Sequence, residues 1–242
     1  MGLITTPVRA ALRRLGLDVD RHSRSYESRR QRILEHLGVS LVVDVGANIG
    51  QYATDLRREG FRGRILSVEP VADSYSSLAR RCRRDSRWDC ANVALGPEEG
   101  ECEVHVSGNR VSSSVLPMTA LHLEAAPSSE YTGSETVRMC RLDDLLTREQ
   151  LAAETIAVKI DVQGYERQVL AGGRSVLAVT AVVELEVSLV ELYEGQADLQ
   201  GMLGYMCGQG FRPVGVQSGF VHPGTDETLQ LNVLFARNTH AE

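Results

Sequence analysis

Charged side chains close several short apolar runs in this chain, and their spacing suggests chemistry. Lys159 and Asp161 lie two apart at the end of the run 156–162, so they share one face of an extended segment; Glu184 and Glu186 repeat the arrangement in 181–187. Burying such groups unpaired is expensive, so they are paired or they face a cleft. Asp161, with Glu184 and Glu186 beside it, has the chemistry of a base that takes a proton from a hydroxyl, or of an oxygen ligand set for Mg²⁺. An ion pair in which Lys159 only neutralises Asp161 or Glu184 is the open alternative. Lys159 is also the single lysine among 26 basic residues, which suggests a position where a compact ammonium fits and a guanidinium fork does not.

A second constellation precedes it. Residues 41–45 form a β-branched run that stops at Gly46 and Gly50, and helical spacing follows through Tyr52, Ala53 and Leu56. A strand, a glycine loop and a helix start make a nucleotide-binding corner. Asp44 would repel a pyrophosphate and favour a cationic ligand, and the loop spacing is not G-x-G-x-x-G. S-adenosylmethionine, with a sulfonium and an ammonium, meets that requirement. Glu69 follows 19 residues after Gly50 at the end of the run 64–68, about where a carboxylate accepts both ribose hydroxyls. The candidate cofactor contacts are Asp44, Gly46, Ala47, Asn48, Gly50, Tyr52, Glu69, Pro70, Asn92, Ala94 and Asp161. Asn92 and its neighbours are placed there for an adenine edge.

These residues need an open α/β sheet, because acids at the ends of adjacent central strands converge only where parallel strands lie side by side. Apolar runs at 41–45, 64–68, 88–95, 156–162 and 181–187 alternate with helical patterns. One helix is expected from 163 to 177 and another over about 189–210. The runs 212–217 and 229–236 are joined too closely for a crossover helix, so an antiparallel hairpin is expected at the sheet edge. Residues 1–38 read as an N-terminal helical cap, with a lid or homodimer contact as the other reading, and 39–242 as one domain. From about 97 to 135 the periodicity loosens, and this insertion is expected to carry a mobile acceptor-recognition element.

Composition excludes several classes. A net charge of −6 argues against nucleic acid as the main partner, and five scattered cysteines without a C-x-x-C suggest neither disulfides nor zinc. A reducing cytoplasm is the expected location. No run approaches the about 20 apolar residues of a membrane span.

The segments 44–53 (DVGANIGQYA), 67–70 (SVEP), 92–96 (NVALG), 112–114, 141–146 (RLDDLL), 158–173 (VKIDVQGYERQVLAGG), 182–186 (VVELE) and 230–237 (QLNVLFAR) together resemble the FkbM family of S-adenosylmethionine-dependent methyltransferases. The resemblance implies a Rossmann-like class I methyltransferase sheet of seven strands, six parallel and one reversed, with helices on both faces. It also implies O-methylation of a sugar, glycolipid or other secondary-metabolism acceptor. Gln163 departs from the family's usual glutamate at that position. A nicotinamide-dependent oxidoreductase is the second reading, weakened by Asp44 and by the lack of a Tyr-x-x-x-Lys pair. A non-catalytic nucleotide-binding module is the third, and it would not need the cleft acids.

Overall fold

The computed structural model describes residues 25–238. The expected helical spacing of Val8, Leu12 and Leu15 lies outside them. The chain opens with α1 (Tyr26–His36), capped by the Ser25 hydroxyl, which accepts from the Ser28 N–H. Then follow β1 (Leu41–Val45), α2 (Gln51–Arg58), β2 (Arg64–Val68), α3 (Ala72–Cys82), β3 (Trp88–Ala91), β4 (Ala94–Leu95) and β5 (Gly100–Ser107). The second half runs α4 (Ala120–Ala125), β6 (Tyr131–Cys140), α5 (Arg148–Ala153), β7 (Ile156–Ile160), α6 (Glu166–Ala171), α7 (Arg174–Val179), β8 (Thr180–Ser188), α8 (Leu199–Gly208), β9 (Phe211–Ser218) and β10 (Gln230–Arg237).

Seven strands form the main sheet in the order β3-β2-β1-β7-β8-β10-β9. The pairs β2–β3, β1–β2, β1–β7 and β7–β8 are parallel, while β10 is antiparallel to both β8 and β9. Six strands therefore run one way and β10 the other. β1 stands at the switch point of the strand order, and the C-terminal ends of β1, β2, β7 and β8 open on one crevice.

Both faces are covered, and they differ. One face is apolar along its length, through Val43, Val45, Val158, Ile160, Val183 and Leu185, and it packs under α6, α7 and α8. The other is apolar only near the strand starts, at Val42, Ile65, Ala157 and Val182. One pleat further on it turns polar, with Ser67, Asp44, Lys159 and Glu184 in register across four neighbouring strands. α1 and α2 lie over this second face.

Several elements differ from the expectations. The run 88–95 is split: β3 stays in the main sheet, while β4 joins β5 and β6 in a separate three-stranded sheet. The insertion thus begins and ends in a regular hairpin, β5 pairing antiparallel with β6, while the longer stretch 108–130 between them is irregular apart from α4. The helix expected over 163–177 is two helices interrupted at Gly172–Gly173. The one expected over 189–210 is helical only from Leu199, because Leu192 and Tyr193 plunge into a small apolar cluster with Ala125 and Leu229. Tertiary burial overrides local helix propensity there.

The turn after β1 is set by close packing. Gly46 has φ 75°, and a Cβ there would lie 1.8 Å from the Asp161 carbonyl oxygen; Gly50, at φ 89°, would put one 2.8 Å from the Trp88 ring. The positive φ values carry the expected tight turn, but what the missing Cβ atoms admit is the Asp161 backbone and the Trp88 side chain. Gly46→Ala is expected to destabilise the fold by about 3 kcal/mol or more, the sum of left-handed strain and forced separation of β1 from β7. Urea unfolding of the variant with an unchanged midpoint would contradict this packing.

Candidate active site

The polar row is the floor of the site. Lys159 Nζ sits among three oxygens: Asp44 Oδ1 at 3.5 Å, Asp161 Oδ2 at 3.3 Å and the Gly46 carbonyl, to which it donates, at 3.3 Å. Burial works against its charge, but the Asp161 and Asp44 carboxylates overcome that and hold its pKa above the ordinary lysine value. Asp44 is fully buried and accepts from the Ser67 hydroxyl at 3.1 Å, and Ser67 in turn accepts from the Trp88 indole N–H at 3.0 Å. The cation beside Asp44 is therefore Lys159, and the Asp44 carboxylate is absent from the cavity lining.

Glu184 belongs to a different cluster. Its Oε2 accepts from the Tyr52 hydroxyl at 2.6 Å and its Oε1 from the Tyr26 hydroxyl at 3.0 Å, while Arg30 Nη1 approaches at 3.4 Å. The Arg30 guanidinium also stacks on the Tyr52 ring, 4.4 Å from its centroid. Lys159 makes no ion pair with Glu184 among the described residues; α1 supplies the cation instead. Neither Tyr26 nor Arg30 stood out in the sequence, because their i, i+4 spacing becomes meaningful only once α1 is laid over β8.

On the far side of Lys159, the Gln163 amide nitrogen donates at 2.7 Å to both Asp161 Oδ1 and Glu186 Oε2. Gln230 donates a second bond to Glu186 Oε2 at 2.9 Å. Burial first, then the Asp161 and Glu166 carboxylates, push the Glu186 pKa well above the usual carboxylate range. The possible metal site of Asp161, Glu184 and Glu186 finds no support in this arrangement. An amide N–H stands between Asp161 and Glu186, and Glu184 is bound to three donors elsewhere. No group of three or more His, Cys, Asp or Glu able to hold a metal ion is found among the described residues.

Above this floor lies a cavity of about 320 Å³. Toward β2 and β3 it is bounded by Glu69, Pro70, Val71, Val93, Ala94, Leu95 and Val104; toward β8–β10 by Arg30, Tyr52, Glu184, Gln217 and Asn232, with Lys159, Asp161 and Gln163 between. Ala47 and Asn48 also line it. Gly50 and Asn92 do not: the Asn92 amide donates to the carbonyls of Glu69 at 2.9 Å and Pro70 at 2.8 Å, so it braces the turn after β2 and does not face an adenine. Residues 110–115 form the roof, tied down by the Asn48 amide donating to the Arg110 carbonyl at 2.8 Å.

Glu69 is 6% exposed, with Oε2 accepting the Asn48 N–H at 2.8 Å and Oε1 the Val71 N–H at 2.9 Å. Burial raises its pKa to about 7 against those two donors. The glycine loop itself offers no phosphate cradle. The N–H groups of Gly46 and Ala47 both go to the Val68 carbonyl, that of Asn48 to Glu69 and that of Gly50 to the Ala47 carbonyl. A pyrophosphate needs such donors free, so the dinucleotide reading loses its main contact.

A doubly wound sheet with a reversed strand between β8 and β9, and an acid-lined crevice at its switch point, defines a class I methyltransferase fold. The model of the Methyltransferase FkbM domain matches residues 44–213, and the chain belongs to this family of S-adenosylmethionine-dependent methyltransferases. The 2-O-methyltransferase NoeI of Sinorhizobium fredii (strain NBRC 101917 / NGR234) is 28% identical over 178 residues, 67% of this chain and 69% of that protein. The crystal structure of Methyltransferase FkbM from Methylobacillus flagellatus KT superposes with a TM-score of 0.53 at 17% identity, covering 81% of this chain; the match spans 43% of that protein's length. No helix among the described residues is long and apolar enough to cross a membrane.

Glu166 is a second buried acid of the Glu69 type. It accepts the N–H groups of Val162 at 3.0 Å and Gly164 at 3.2 Å, and burial lifts its pKa to about 7. Both groups bind protons more tightly folded than unfolded, so their contribution to stability is complete below the ordinary value of 4.5 and is lost as pH rises through about 7. Unfolding free energy of the free protein is expected to fall by roughly 5 kcal/mol between pH 5 and 8, and by about half as much in Glu166→Gln. Urea titrations giving a flat or rising profile would refute the assignment.

Proposed function

We propose that this enzyme is an O-methyltransferase acting on a hydroxyl of a sugar or another polyhydroxylated acceptor, glycolipids included, with Asp161 as the proton acceptor. The observation that carries the reading is the position of Asp161. It is the one carboxylate that lines the middle of the cavity, between the Glu69 end and the Arg30–Gln217–Asn232 end, with an ammonium and an amide donor on its two oxygens. An oxygen as methyl acceptor agrees with the name of the 28% identical relative, a 2-O-methyltransferase. A wall of guanidinium, amide and phenol groups suits an acceptor rich in hydroxyls.

The residues present fit S-adenosylmethionine. Glu69 offers two carboxylate oxygens where a ribose diol needs them, and Val71, Val93, Leu95 and Val104 make an apolar slot beside it for a base. The N–H groups of Gly46, Ala47, Asn48 and Gly50 are already taken by the protein, which suits a ligand without phosphate. When bound, the cofactor supplies a methyl group on a cationic sulfur: the acceptor oxygen forms the new bond to carbon as the carbon–sulfur bond breaks, and sulfur keeps the electron pair.

The chain's own part is alignment and proton removal. Asp161 takes the hydroxyl proton as the oxygen becomes bonded to carbon, since an alcohol does not ionise near neutral pH unaided. Lys159, bound to both Asp161 and Asp44, fixes the position of the Asp161 carboxylate. Its three oxygens diverge around a point charge, which suits an ammonium and not a planar guanidinium. Glu184 acts from behind, bracing Tyr52 and Arg30 so that the acceptor wall is rigid.

Asp161→Asn is expected to lower kcat about 10²-fold or more, while S-adenosylhomocysteine binds within a few-fold of the wild type. Lys159→Arg should not restore turnover. Near wild-type rates in both, measured with glycoside acceptors, would remove these residues from the chemistry. Glu69→Ala should cost roughly 1–3 kcal/mol in S-adenosylhomocysteine affinity by calorimetry. The wild-type affinity should also weaken as pH falls below about 7, because the ribose needs the carboxylate and Glu69 becomes protonated there. An affinity independent of pH from 6 to 8 would count against Glu69.

A further inference from the structure

Gln163 is held more tightly than its place in a loop requires. Its φ of 57° is left-handed, unusual for a residue with a side chain, and it persists only if the surroundings impose it. Three contacts do so. The Ser114 hydroxyl donates to the Gln163 carbonyl at 2.6 Å, the Tyr193 hydroxyl donates to its side-chain Oε1 at 2.6 Å, and the amide nitrogen donates to Asp161 and Glu186 at 2.7 Å each. Tyr193 is fully buried and Gln163 is 9% exposed. Because a phenol can only donate strongly to Oε1, the amide is fixed with its oxygen toward Tyr193 and its nitrogen toward the two carboxylates.

We propose that Gln163 is the positioning residue that holds the Asp161 carboxylate aimed into the cavity, with its orientation set by Tyr193 and by Ser114 of the covering segment. This rests on the assignment of Asp161 as proton acceptor. Two carboxylates cannot stand side by side at this spacing without a donor between them. Gln163 supplies one N–H to each, which fixes the Asp161 carboxylate beside a Glu186 carboxyl that burial holds toward its protonated form. Ser112, whose carbonyl accepts from Tyr193 at 3.3 Å, and Ser114 belong to the roof. The same groups therefore hold the roof closed and hold the amide in place, which ties readiness of Asp161 to closure over the acceptor. Glutamate, the family's usual residue at 163, offers at most one O–H donor and only when protonated, so it cannot serve both carboxyls as the amide does.

The charged groups facing Asp161 are Lys159 on β7, Asp44 on β1, Glu186 on β8 and Glu166 on α6. A test must follow Asp161 itself as well as turnover. Carbon-13 NMR of the side-chain carboxyls, assigned with Asp161→Asn, is titrated in the complex with S-adenosylhomocysteine for wild type, Gln163→Glu and Tyr193→Phe. In Gln163→Glu the Asp161 titration is expected to move to higher pH by about one pH unit or more. The acid limb of kcat/KM should move with it, kcat should fall at least tenfold at pH 7, and S-adenosylhomocysteine affinity should stay within about threefold. Tyr193→Phe keeps the amide but frees it to turn, and a smaller displacement in the same direction is expected.

Unchanged Asp161 titration in both variants, with thermal unfolding showing them folded, would overturn the proposal. A displaced titration with unchanged turnover would support the hold of Gln163 on Asp161 and would overturn the proton-acceptor role on which the preceding section relies. Should Gln163→Glu fail to fold, Tyr193→Phe alone decides, because it leaves every carboxylate in place.

Discussion

The structure depends on one buried ammonium. Lys159 enters the sheet between β1 and β8 on a face that is apolar for one half of its depth and polar for the other. Without it, Asp44 and Asp161 would lie side by side with no cation between them, and the cost would fall chiefly on Asp44, which is fully buried. With it, Ser67, Asp44, Lys159 and Asp161 become a chain of donors and acceptors running from the Trp88 indole to the cavity. The turn at Gly46 serves the same contact, since its carbonyl is the third oxygen on the ammonium. A loop that reads as a ligand cradle is thus first of all a seat for a lysine.

The second charge cluster solves the same problem with different material. Glu184 is one step along the polar row, but its partners come from helices laid over the sheet: Tyr52 from α2, and Tyr26 and Arg30 from α1. α1 precedes the matched family segment at 44–213, yet its Arg30 lines one wall of the cavity. Arg30 is 4% exposed, and its Nε and Nη2 find no hydrogen-bond partner among the described residues. Unpaired buried donors are costly, and here they lie in a residue that lines the cavity wall.

Between the clusters, the strand ends are controlled by backbone and amide groups more than by charge. The carboxyls of Glu69 and Glu166 each accept two backbone N–H groups, and Gln163 separates Asp161 from Glu186. These contacts shape the crevice before any ligand arrives, and they place N–H donors on its carboxyl groups. The small sheet of β4, β5 and β6 carries the roof, so the acceptor side of the cavity is assembled from parts that are remote in sequence.

Much of this could be read from the chain alone. Short β-branched runs separated by helical periods specify a parallel sheet, because only strands buried on both faces are apolar throughout. The reversed penultimate strand followed from a linker too short to cross over. The Lys159–Asp161 pairing was also visible, since a two-residue period puts both on one face. The sequence could not show which acid each cation would meet, because strand register and helix placement decide that. Register put Lys159 beside Asp44 as well as Asp161. The docking of α1 then gave Glu184 to Arg30, and the packing of Tyr193 turned the Gln163 amide toward Asp161. Period and composition act over a few residues and are written in the chain. Charge pairing across a buried sheet acts through space, over as many as 154 residues for Arg30 and Glu184, and only the folded structure brings those groups within reach.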